Sequence, residues 1–280
     1  MPASPDRLTA RQSWRHRLWV WYLRQAPHPM KVRLERWLAR GLRLRRIQLP
    51  IPGPAVLDLP VGEHLTYAVA KLGCYEQQTV TRILDLCRTA DCFLDVGGQF
   101  GQFTLAVSGV LPPNGRVVTV EPNPQNYLEL CRNLALNRRT NVFPVLAAAG
   151  EVDGFLRLVP NAAGNTGSTH TQQDVQPGAM VVPAIPLAEL LRRLNVPQVD
   201  VMKIDVEGFE PTVLRGLFRP GTPKPRHIFF EYFPKGFDSC AETVALLRGA
   251  GYSIRQVTGE PFADGMKPAD DNLWASLEPE

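Results

Sequence analysis

The sequence has few cysteines and no long hydrophobic run, and these absences exclude several classes of protein. Its 280 residues include five cysteines, an odd number without a C-x-x-C pair, which argues against a disulfide framework or a thiolate zinc site. The longest strongly apolar run near the start, Leu18 to Leu23, is followed at once by Arg24 and is too short for a membrane span or a signal-peptide core. We therefore expect a reducing, cytoplasmic setting.

Acidic residues are scarce at the start of the chain. Residues 1–50 hold twelve Lys or Arg and two acids, which leaves 19 basic and 25 acidic residues for the rest. The negative balance of that larger part argues against a surface-wide affinity for nucleic acid.

Residues 49–54 are Pro-rich, and prolines remove backbone donors and disfavour helix. We predict a basic helical arm with a Pro-rich linker over 1–54 and a second domain over 55–280.

Within the arm, residues 31–46 follow the period of an amphipathic helix. At about 100° per residue, five apolar residues gather on one side and four arginines on the other, namely Leu34, Trp37, Leu38, Leu42 and Leu44 against Arg33, Arg36, Arg40 and Arg43. Such a helix can contact an anionic membrane surface peripherally or hold an acidic partner. Two other interpretations stay open: the apolar side packs against the second domain, or the segment is an organelle transit peptide.

Beyond the arm, short apolar runs alternate with helical patterns, which is typical of βαβ units. The pattern predicts an α/β fold, with a mostly parallel sheet and helices on both faces. The predicted helices are 65–88, with a break at Gly73, 102–110, 124–137, 187–194, 211–217 and 241–250. The predicted strands are 92–96, 116–120, 142–147, 155–159, 199–204, 227–232, 252–257 and 272–277, with a polar loop over 161–176.

A glycine turn follows the first of these strands, in the segment Asp95-Val96-Gly97-Gly98-Gln99-Phe100-Gly101. Glycines let the backbone approach a ligand, and the helix that begins there points its N–H groups to the same place. The NAD fingerprint G-x-G-x-x-G is not satisfied, because it would require a glycine at Val96. The turn predicts a different nucleotide site or, in the plainer interpretation, only joins a strand to a helix.

The next strand ends at Glu121, 26 residues after Asp95. Consecutive parallel strands end on the same edge of a sheet, so Glu121 should lie beside the glycine turn. There its carboxylate could accept hydrogen bonds from both ribose hydroxyls of a nucleoside.

These segments resemble the FkbM family of methyltransferases over roughly residues 74 to 235. The matching blocks are 73–76, 95–101, 121–124 followed by Asn133, Leu134 and Asn137, 148–154, and 201–216 with Lys203-Ile204-Asp205-Val206-Glu207-Gly208. The chain departs from the family pattern at Gly98-Gln99, where Ala-Asn is commoner, and at Ala188, where an acid is usual. The resemblance implies a class I methyltransferase fold, S-adenosylmethionine as cofactor, and O-methylation of a hydroxyl on a sugar, polyketide or related metabolite.

Together with this resemblance, the turn and its neighbours predict a set of cofactor-binding residues in the methyltransferase domain. They are Glu76, Asp95, Gly97, Gly98, Gln99, Gly101, Glu121, Pro122, Asn123 and Ala148. For Glu76, exposure on a helix surface is the plainer alternative.

The acceptor side is predicted at the carboxyl ends of the later strands, where ligands bind in such sheets. Asp205 is predicted as the catalytic base or acceptor-orienting residue and Glu207 as a second polar contact; alternatively both cap the helix that begins near Pro211 or bind backbone in the turn. Lys203 should point to the same side as Asp205. Glu231 lies among aromatic residues and must find a partner or reach the cleft. His170, in the polar loop, could reach the acceptor or be solvated.

Other functions are less well supported. Asp205, Glu207 and Glu231 could bind Mg²⁺, but no His/Cys cluster suggests zinc, and we predict no metal. The alternative to an enzyme is a non-catalytic binding module that retains the fold. An NAD-dependent oxidoreductase is disfavoured by the glycine spacing and by the absence of a Tyr-x-x-x-Lys pair. The expected partner is a small-molecule or glycan acceptor, with no nucleic acid.

Overall fold

The computed structural model describes residues 14–25, 31–160, 169–171, 179–232, 239–264, 266, 268 and 271–277. Its helices are α1 (Trp14–Arg24), α2 (Lys31–Gly41), α3 (His64–Leu72), α4 (Gln77–Cys87), α5 (Gln102–Ser108), α6 (Pro124–Leu136), α7 (Leu187–Arg193), α8 (Glu210–Leu217) and α9 (Ser239–Gly249). Its strands are β1 (Arg46–Ile51), β2 (Ala55–Pro60), β3 (Cys92–Val96), β4 (Arg116–Val120), β5 (Val142–Val145), β6 (Ala148–Gly150), β7 (Gly154–Pro160), β8 (Thr169–Thr171), β9 (Met180–Pro186), β10 (Val201–Ile204), β11 (His227–Glu231), β12 (Ser253–Gln256) and β13 (Asn272–Ser276).

Seven strands form the main sheet, in the order β12-β13-β11-β10-β3-β4-β5. Neighbouring strands are parallel except where β13 pairs antiparallel with β11 and with β12. The predicted α/β fold with a mostly parallel sheet is therefore confirmed. The strand order reverses between β3 and β10, and ligands bind in sheets of this kind beyond the carboxyl ends of the strands at such a reversal.

Helices cover both faces of this sheet, as the sequence predicts. Every residue of β3 and β10 is buried, as expected for central parallel strands, whose sequences are continuously apolar. Successive residues point to opposite faces: Leu94 packs in a cluster with residues of α8 and α9, whereas Phe93 packs with residues of α4 and α5.

A second sheet, in the order β6-β9-β7-β8, corrects two sequence predictions. The predicted polar loop over 161–176 contains β8, which pairs antiparallel with β7 and consists of two β-branched threonines around His170. Strand β9 was not predicted, because Pro183 and Pro186 are unusual within a strand. The predicted break near Gly73 is confirmed, since α3 ends there in a left-handed residue.

The Pro-rich segment 49–54 is not a linker but part of a β-hairpin. Strand β1 pairs antiparallel with β2, from Arg46 opposite Pro60 to Ile51 opposite Ala55. A two-stranded hairpin tolerates prolines because each strand has one free edge. The prediction of a helix up to Arg46 is also wrong, since α2 ends at Gly41. The predicted division of the chain at residue 54 thus falls within the hairpin.

Two asparagines, Asn133 of α6 and Asn137 at its C-cap, bind this hairpin. Asn137 Oδ1 accepts a hydrogen bond from Val56 N at 2.8 Å, and Asn137 Nδ2 donates to Val56 O at 2.7 Å. Asn133 Oδ1 accepts from Asp58 N at 2.8 Å, while Asn133 Nδ2 donates to Phe100 O at 3.0 Å. Asn133 therefore links the hairpin to the glycine turn.

The described part of the arm packs on the hairpin and on α3. Trp19 is fully buried and shares an apolar cluster with Leu23, Ala39 and Leu57, and its ring lies 5.8 Å from that of Tyr67. No helix among the described residues is both long and apolar enough to cross a membrane.

Candidate functional site

A cleft of about 320 Å³ lies at the reversal of strand order, within the roughly 300–1,000 Å³ typical of small-ligand sites. Eight predicted site residues line it: Gly97, Gln99, Glu121, Pro122, Ala148, Asp205, Glu207 and Glu231. The other predicted residues, Glu76, Asp95, Gly98, Gly101 and Asn123, are not part of this lining. The cleft therefore brings the predicted cofactor and acceptor sides together.

The glycine turn is held between the ends of β4 and β10. Gly97 N and Gly98 N both donate to Val120 O, at 2.9 and 3.2 Å. Gly97 has φ +88°, and a Cβ added to it would lie 1.9 Å from Asp205 O. Only glycine fits this position, because both the dihedral angle and the approach of Asp205 exclude a side chain.

Asp95 lies beneath the turn rather than at the cleft surface. It is buried, and its Oδ2 accepts a hydrogen bond of 2.5 Å from Thr104 Oγ1, which lies 2.7 Å from Thr119 Oγ1. Burial raises the pKa of Asp95 to about 6. These contacts join the end of β3 to α5 and β4, so the position of Asp95 supports the turn.

Glu121 connects the turn to the following helix. Its Oε2 accepts from Gln99 N at 2.8 Å and its Oε1 accepts from Asn123 N at 2.8 Å. Burial raises the pKa of Glu121 to about 7. Glu121 Oε1 also accepts a long hydrogen bond from Asn126 Nδ2, at 3.5 Å. A carboxylate has about four acceptor sites, so Oε2 can still accept a hydrogen bond from the cleft, whereas Oε1 could do so only in place of this long contact.

Three predicted cofactor residues lie behind the cleft wall. Asn123 caps α6, because its side chain accepts from Gln125 N at 2.9 Å. Gly101 precedes α5 at φ +91°, where a Cβ would lie 2.6 Å from Leu130 Cδ1. At Gly98, a Cβ would lie 2.3 Å from Thr119 Cγ2. These residues shape the turn without lining the cleft.

Lys203 is the main functional residue whose environment the sequence does not reveal. Its ammonium is buried, donates to Asn272 Oδ1 at 2.8 Å, and lies 3.4 Å from both Asp205 Oδ2 and Glu76 Oε2. Burial lowers the pKa of Lys203, but attraction to Asp205, Glu76 and further carboxylates outweighs burial and raises it overall. Lys203 and Asp205 do lie on one side, as strand alternation predicts.

Glu76 is neither on the cleft surface nor exposed on a helix. It is buried in a left-handed conformation, φ +51°, immediately before α4. Its contact with Lys203 explains why a carboxylate is accommodated there, since a buried charge needs an opposite charge or hydrogen bonds.

The loop after β10 presents Asp205 and Glu207 to the cleft. Its backbone donors are bound by another residue, because Glu210 Oε1 accepts from Val206 N at 3.2 Å and from Gly208 N at 3.4 Å. Glu210 therefore binds the backbone of this turn, and the N-cap of α8 is Phe209, without a side-chain hydrogen bond, so neither Asp205 nor Glu207 caps the helix. Glu207 has φ +54°, an unusual left-handed conformation for a non-glycine residue, and burial raises its pKa to about 7.

Glu231 ends β11 at the cleft. Its Oε2 is buried and has no hydrogen-bond partner among the described residues, although Glu231 lines the cleft. Burial, followed by repulsion from Asp205, raises the pKa of Glu231 to about 8. At neutral pH its carboxyl group is therefore mainly protonated and has a hydrogen to donate.

The cleft also contains residues that the sequence did not suggest. Tyr75 and His64 line it with their rings 5.6 Å apart in an edge-on arrangement. Tyr75 belongs to a segment noted only for Glu76, and Gln102 fixes its backbone by accepting from Tyr75 N at 2.8 Å. Leu156, Leu158 and Phe209 add apolar surface. Of His170, only the backbone within β8 is described.

No group of three or more His, Cys, Asp or Glu side chains is arranged to hold a metal ion in the described part of the chain. The cation that contacts Asp205 there is the ammonium of Lys203.

A family model described as Methyltransferase FkbM domain matches residues 95–254 of the chain. The hexuronic acid methyltransferase AglP of Haloferax volcanii is 29% identical to the chain over 144 residues, which is 51% of this chain and 56% of AglP. Methyltransferase 1 of Beauveria bassiana is 29% identical over 148 residues, which is 45% of this chain and 59% of the relative. The chain thus spans less than two thirds of the length of these curated relatives.

Two solved structures are more distant. The methyltransferase FkbM of Methylobacillus flagellatus KT is 16% identical with a TM-score of 0.46, over 94% of this chain and 59% of that chain. The O-methyltransferase of Bacillus cereus, solved in complex with SAH, is 14% identical with a TM-score of 0.43, over 71% of this chain and 80% of that chain. At these scores neither structure bears on what this chain binds.

We expect Glu121→Ala to weaken binding of S-adenosylhomocysteine, measured by calorimetry. The variant removes a charged acceptor for two hydroxyl groups, which should cost roughly 1.5 to 3 kcal/mol of binding free energy. Glu129→Ala is the matched control, because Glu129 lies on α6, outside the cleft lining, and pairs with Arg46. Undiminished affinity in Glu121→Ala would refute the contact.

Proposed function

The chain belongs to the FkbM family of methyltransferases, and from this premise we propose that it methylates a hydroxyl group of a sugar, polyketide or related metabolite. Its fold is the Rossmann-like fold of class I methyltransferases, and S-adenosylmethionine is its methyl donor. We propose both this class of acceptor and the activity of the whole protein. A sugar acceptor is supported by the relative from Haloferax volcanii, which is a hexuronic acid methyltransferase.

The main support for this function is a contact between the two sides of the cleft: the glycine turn on the cofactor side packs against the loop after β10 on the acceptor side. The backbone of Asp205 packs directly against Gly97, while Glu121 lies at the other end of the glycine turn. A donor held by the turn would therefore lie beside the loop that carries Asp205 and Glu207.

The residues present fit S-adenosylmethionine. Gly97 exposes backbone to the cleft, and Glu121 provides oxygen acceptors for the ribose hydroxyls. When bound, S-adenosylmethionine supplies an electrophilic methyl group. The protein then has to orient the acceptor oxygen, exclude water and remove a proton, and orientation alone is worth up to about 10⁵–10⁸ M in effective concentration.

Asp205 is the proposed base. Its carboxylate would take the proton of the acceptor hydroxyl and pass it to solvent, while the donor would supply the methyl group to the hydroxyl oxygen and leave as S-adenosylhomocysteine. The ion pair with Lys203 at 3.4 Å holds this carboxylate in place, and about a third of its side chain remains exposed towards the cleft. A base of this kind contributes about 10²–10⁴-fold in rate.

Glu231 and Glu207 are proposed to hold the acceptor. Glu231 has a buried oxygen without a partner and a carboxyl group that is mainly protonated at neutral pH, so it can donate a hydrogen bond to an acceptor oxygen. Tyr75 and Phe209 provide flat apolar surfaces beside these polar groups. Such a mixture suits a hydroxylated ring, which has polar edges and apolar faces.

The reaction can be tested by incubating the protein with S-adenosylmethionine and a panel of glycosides, uronic acids and hydroxylated polyketides. Mass spectrometry should find an acceptor that gains one methyl group, and NMR should locate it on oxygen. Binding of S-adenosylhomocysteine without transfer to any member of a broad panel would favour the non-catalytic binding module instead.

With an acceptor identified, Asp205→Asn should lower turnover by about 10²–10⁴-fold, because the amide keeps the shape but cannot take a proton. Affinity for S-adenosylhomocysteine should stay close to that of the unaltered protein. Asp85→Asn serves as control, since Asp85 is exposed on α4. Unchanged turnover in Asp205→Asn would eliminate Asp205 as the base.

The role of Glu231 can be tested by pH. If its protonated form holds the acceptor, kcat/KM should fall as pH rises through about 8, where Glu231 loses its proton. Glu231→Gln keeps a neutral donor of similar shape, so it should remain active and lose this alkaline decline. An inactive Glu231→Gln, beside an unaltered protein whose activity rises through pH 8, would show that Glu231 acts as a carboxylate.

A further inference from the structure

Helices α1 and α2 expose five large apolar residues, which we call the tryptophan surface. Its members, with their exposed fractions, are Trp14 (60%), Leu18 (38%), Trp21 (59%), Leu34 (40%) and Trp37 (70%). Three of the five tryptophans of the chain belong to it. Single exposed apolar residues are common on protein surfaces, but these five lie on two helices that contact each other, and exposed apolar residues concentrated in one part of a protein indicate an interaction site.

On α1 this surface is separate from the side that packs on the protein. Trp14, Leu18 and Trp21 follow the spacing i, i+4, i+7 and so share one face of the helix. Trp19 and Leu23, which are 0% and 4% exposed, lie on the opposite face and join the apolar cluster with α3 and the hairpin. Trp14 and Trp21 are therefore not needed to attach the helix.

The same division occurs on α2. Ala39 is buried and Leu38 packs against the cluster, whereas Trp37 is the most exposed tryptophan. Trp37 and Ala39 are two residues apart, which is about 200° around a helix. The single apolar side that the sequence suggested is thus divided into a packed part and an exposed part.

The charge around this surface is positive. Residues 1–50 contain twelve Lys or Arg and two acids, and six arginines are exposed on or next to the two helices: Arg15, Arg17, Arg24, Arg40, Arg43 and Arg45. The guanidinium of Arg15 lies over the Trp14 ring at 5.7 Å from its centroid. A complementary partner must combine negative charge with a region that accepts indole rings.

We propose that the tryptophan surface docks the protein on an anionic lipid bilayer. Tryptophan favours the interface between lipid headgroups and acyl chains, and arginine can keep its charge at headgroup level while its stem contacts apolar groups. The proposal is independent of the acceptor. Docking would place the cleft near the bilayer, because α1 packs on α3, and His64 and Leu65 of α3 line the cleft.

The experiment uses the full chain with vesicles of phosphatidylcholine, with or without phosphatidylserine. We expect the protein to sediment with the anionic vesicles at low salt and to be released by high salt, which screens charges at the surface. It should not sediment with neutral vesicles. Tryptophan fluorescence should shift to the blue on binding, because exposed indoles enter a less polar region.

Two variants separate the contributions of the rings and of the charges. Replacing Trp14, Trp21 and Trp37 by Ser should lower vesicle affinity at least about 10-fold, because apolar contact with the interface is lost. Replacing Arg15, Arg17 and Arg40 by Gln should lower it roughly 100-fold at low salt, since each basic residue contributes about one kcal/mol. The matched control replaces three exposed apolar residues elsewhere, Leu128, Phe155 and Val181, by Ser and should bind like the unaltered protein.

Three results would overturn the proposal. The unaltered protein could fail to bind anionic vesicles, or binding could survive in the tryptophan variant while its circular dichroism and melting temperature stay unchanged. Sedimentation equilibrium could also show a dimer that the tryptophan variant dissociates, in which case the surface is an interface between two copies of the chain.

Discussion

The close approach of Gly97 to the backbone of Asp205 is the constraint on which the rest of the site depends. Asp205 N donates to Val96 O at 2.9 Å, and Gly97 N donates to Val120 O at the same distance, so the ends of β3, β4 and β10 are joined by backbone hydrogen bonds. There is no room for a Cβ at position 97. The spacing between the glycine turn and the acidic loop is therefore set by the backbone and not by adjustable side chains.

The same packing concentrates carboxyl groups around one buried cation. The ammonium of Lys203 is close to Asp205 and Glu76, whereas Glu207 and Glu231 lie within ion-pair distance of no cation among the described residues. Burying ionised groups without partners is costly, so protons are retained instead. This explains why the pKa values of Glu207 and Glu231 are raised while Lys203 stays charged.

The sequence predicts well what depends on local patterns and poorly what depends on distant partners. The central strands could be predicted because burial on both faces requires continuous apolar runs, and Gly97 and Glu121 because strand ends of a parallel sheet share an edge. The hairpin was mistaken for a linker, since prolines at free strand edges have the same local pattern. The partner of Lys203, Asn272, lies 69 residues away on the last strand of the chain, and no local pattern links the two.

We infer that the glycine turn, closed against the acidic loop, forms the donor site. The sharpest test compares the binding of S-adenosylhomocysteine to Gly97→Ala and Gly73→Ala by calorimetry. Both glycines have φ near +90°, but an added Cβ meets Asp205 O at position 97 and nothing within 4 Å at position 73. We expect Gly97→Ala to fold but to lose S-adenosylhomocysteine binding, and Gly73→Ala to bind S-adenosylhomocysteine like the unaltered protein. Equal affinity in the two variants would contradict this inference.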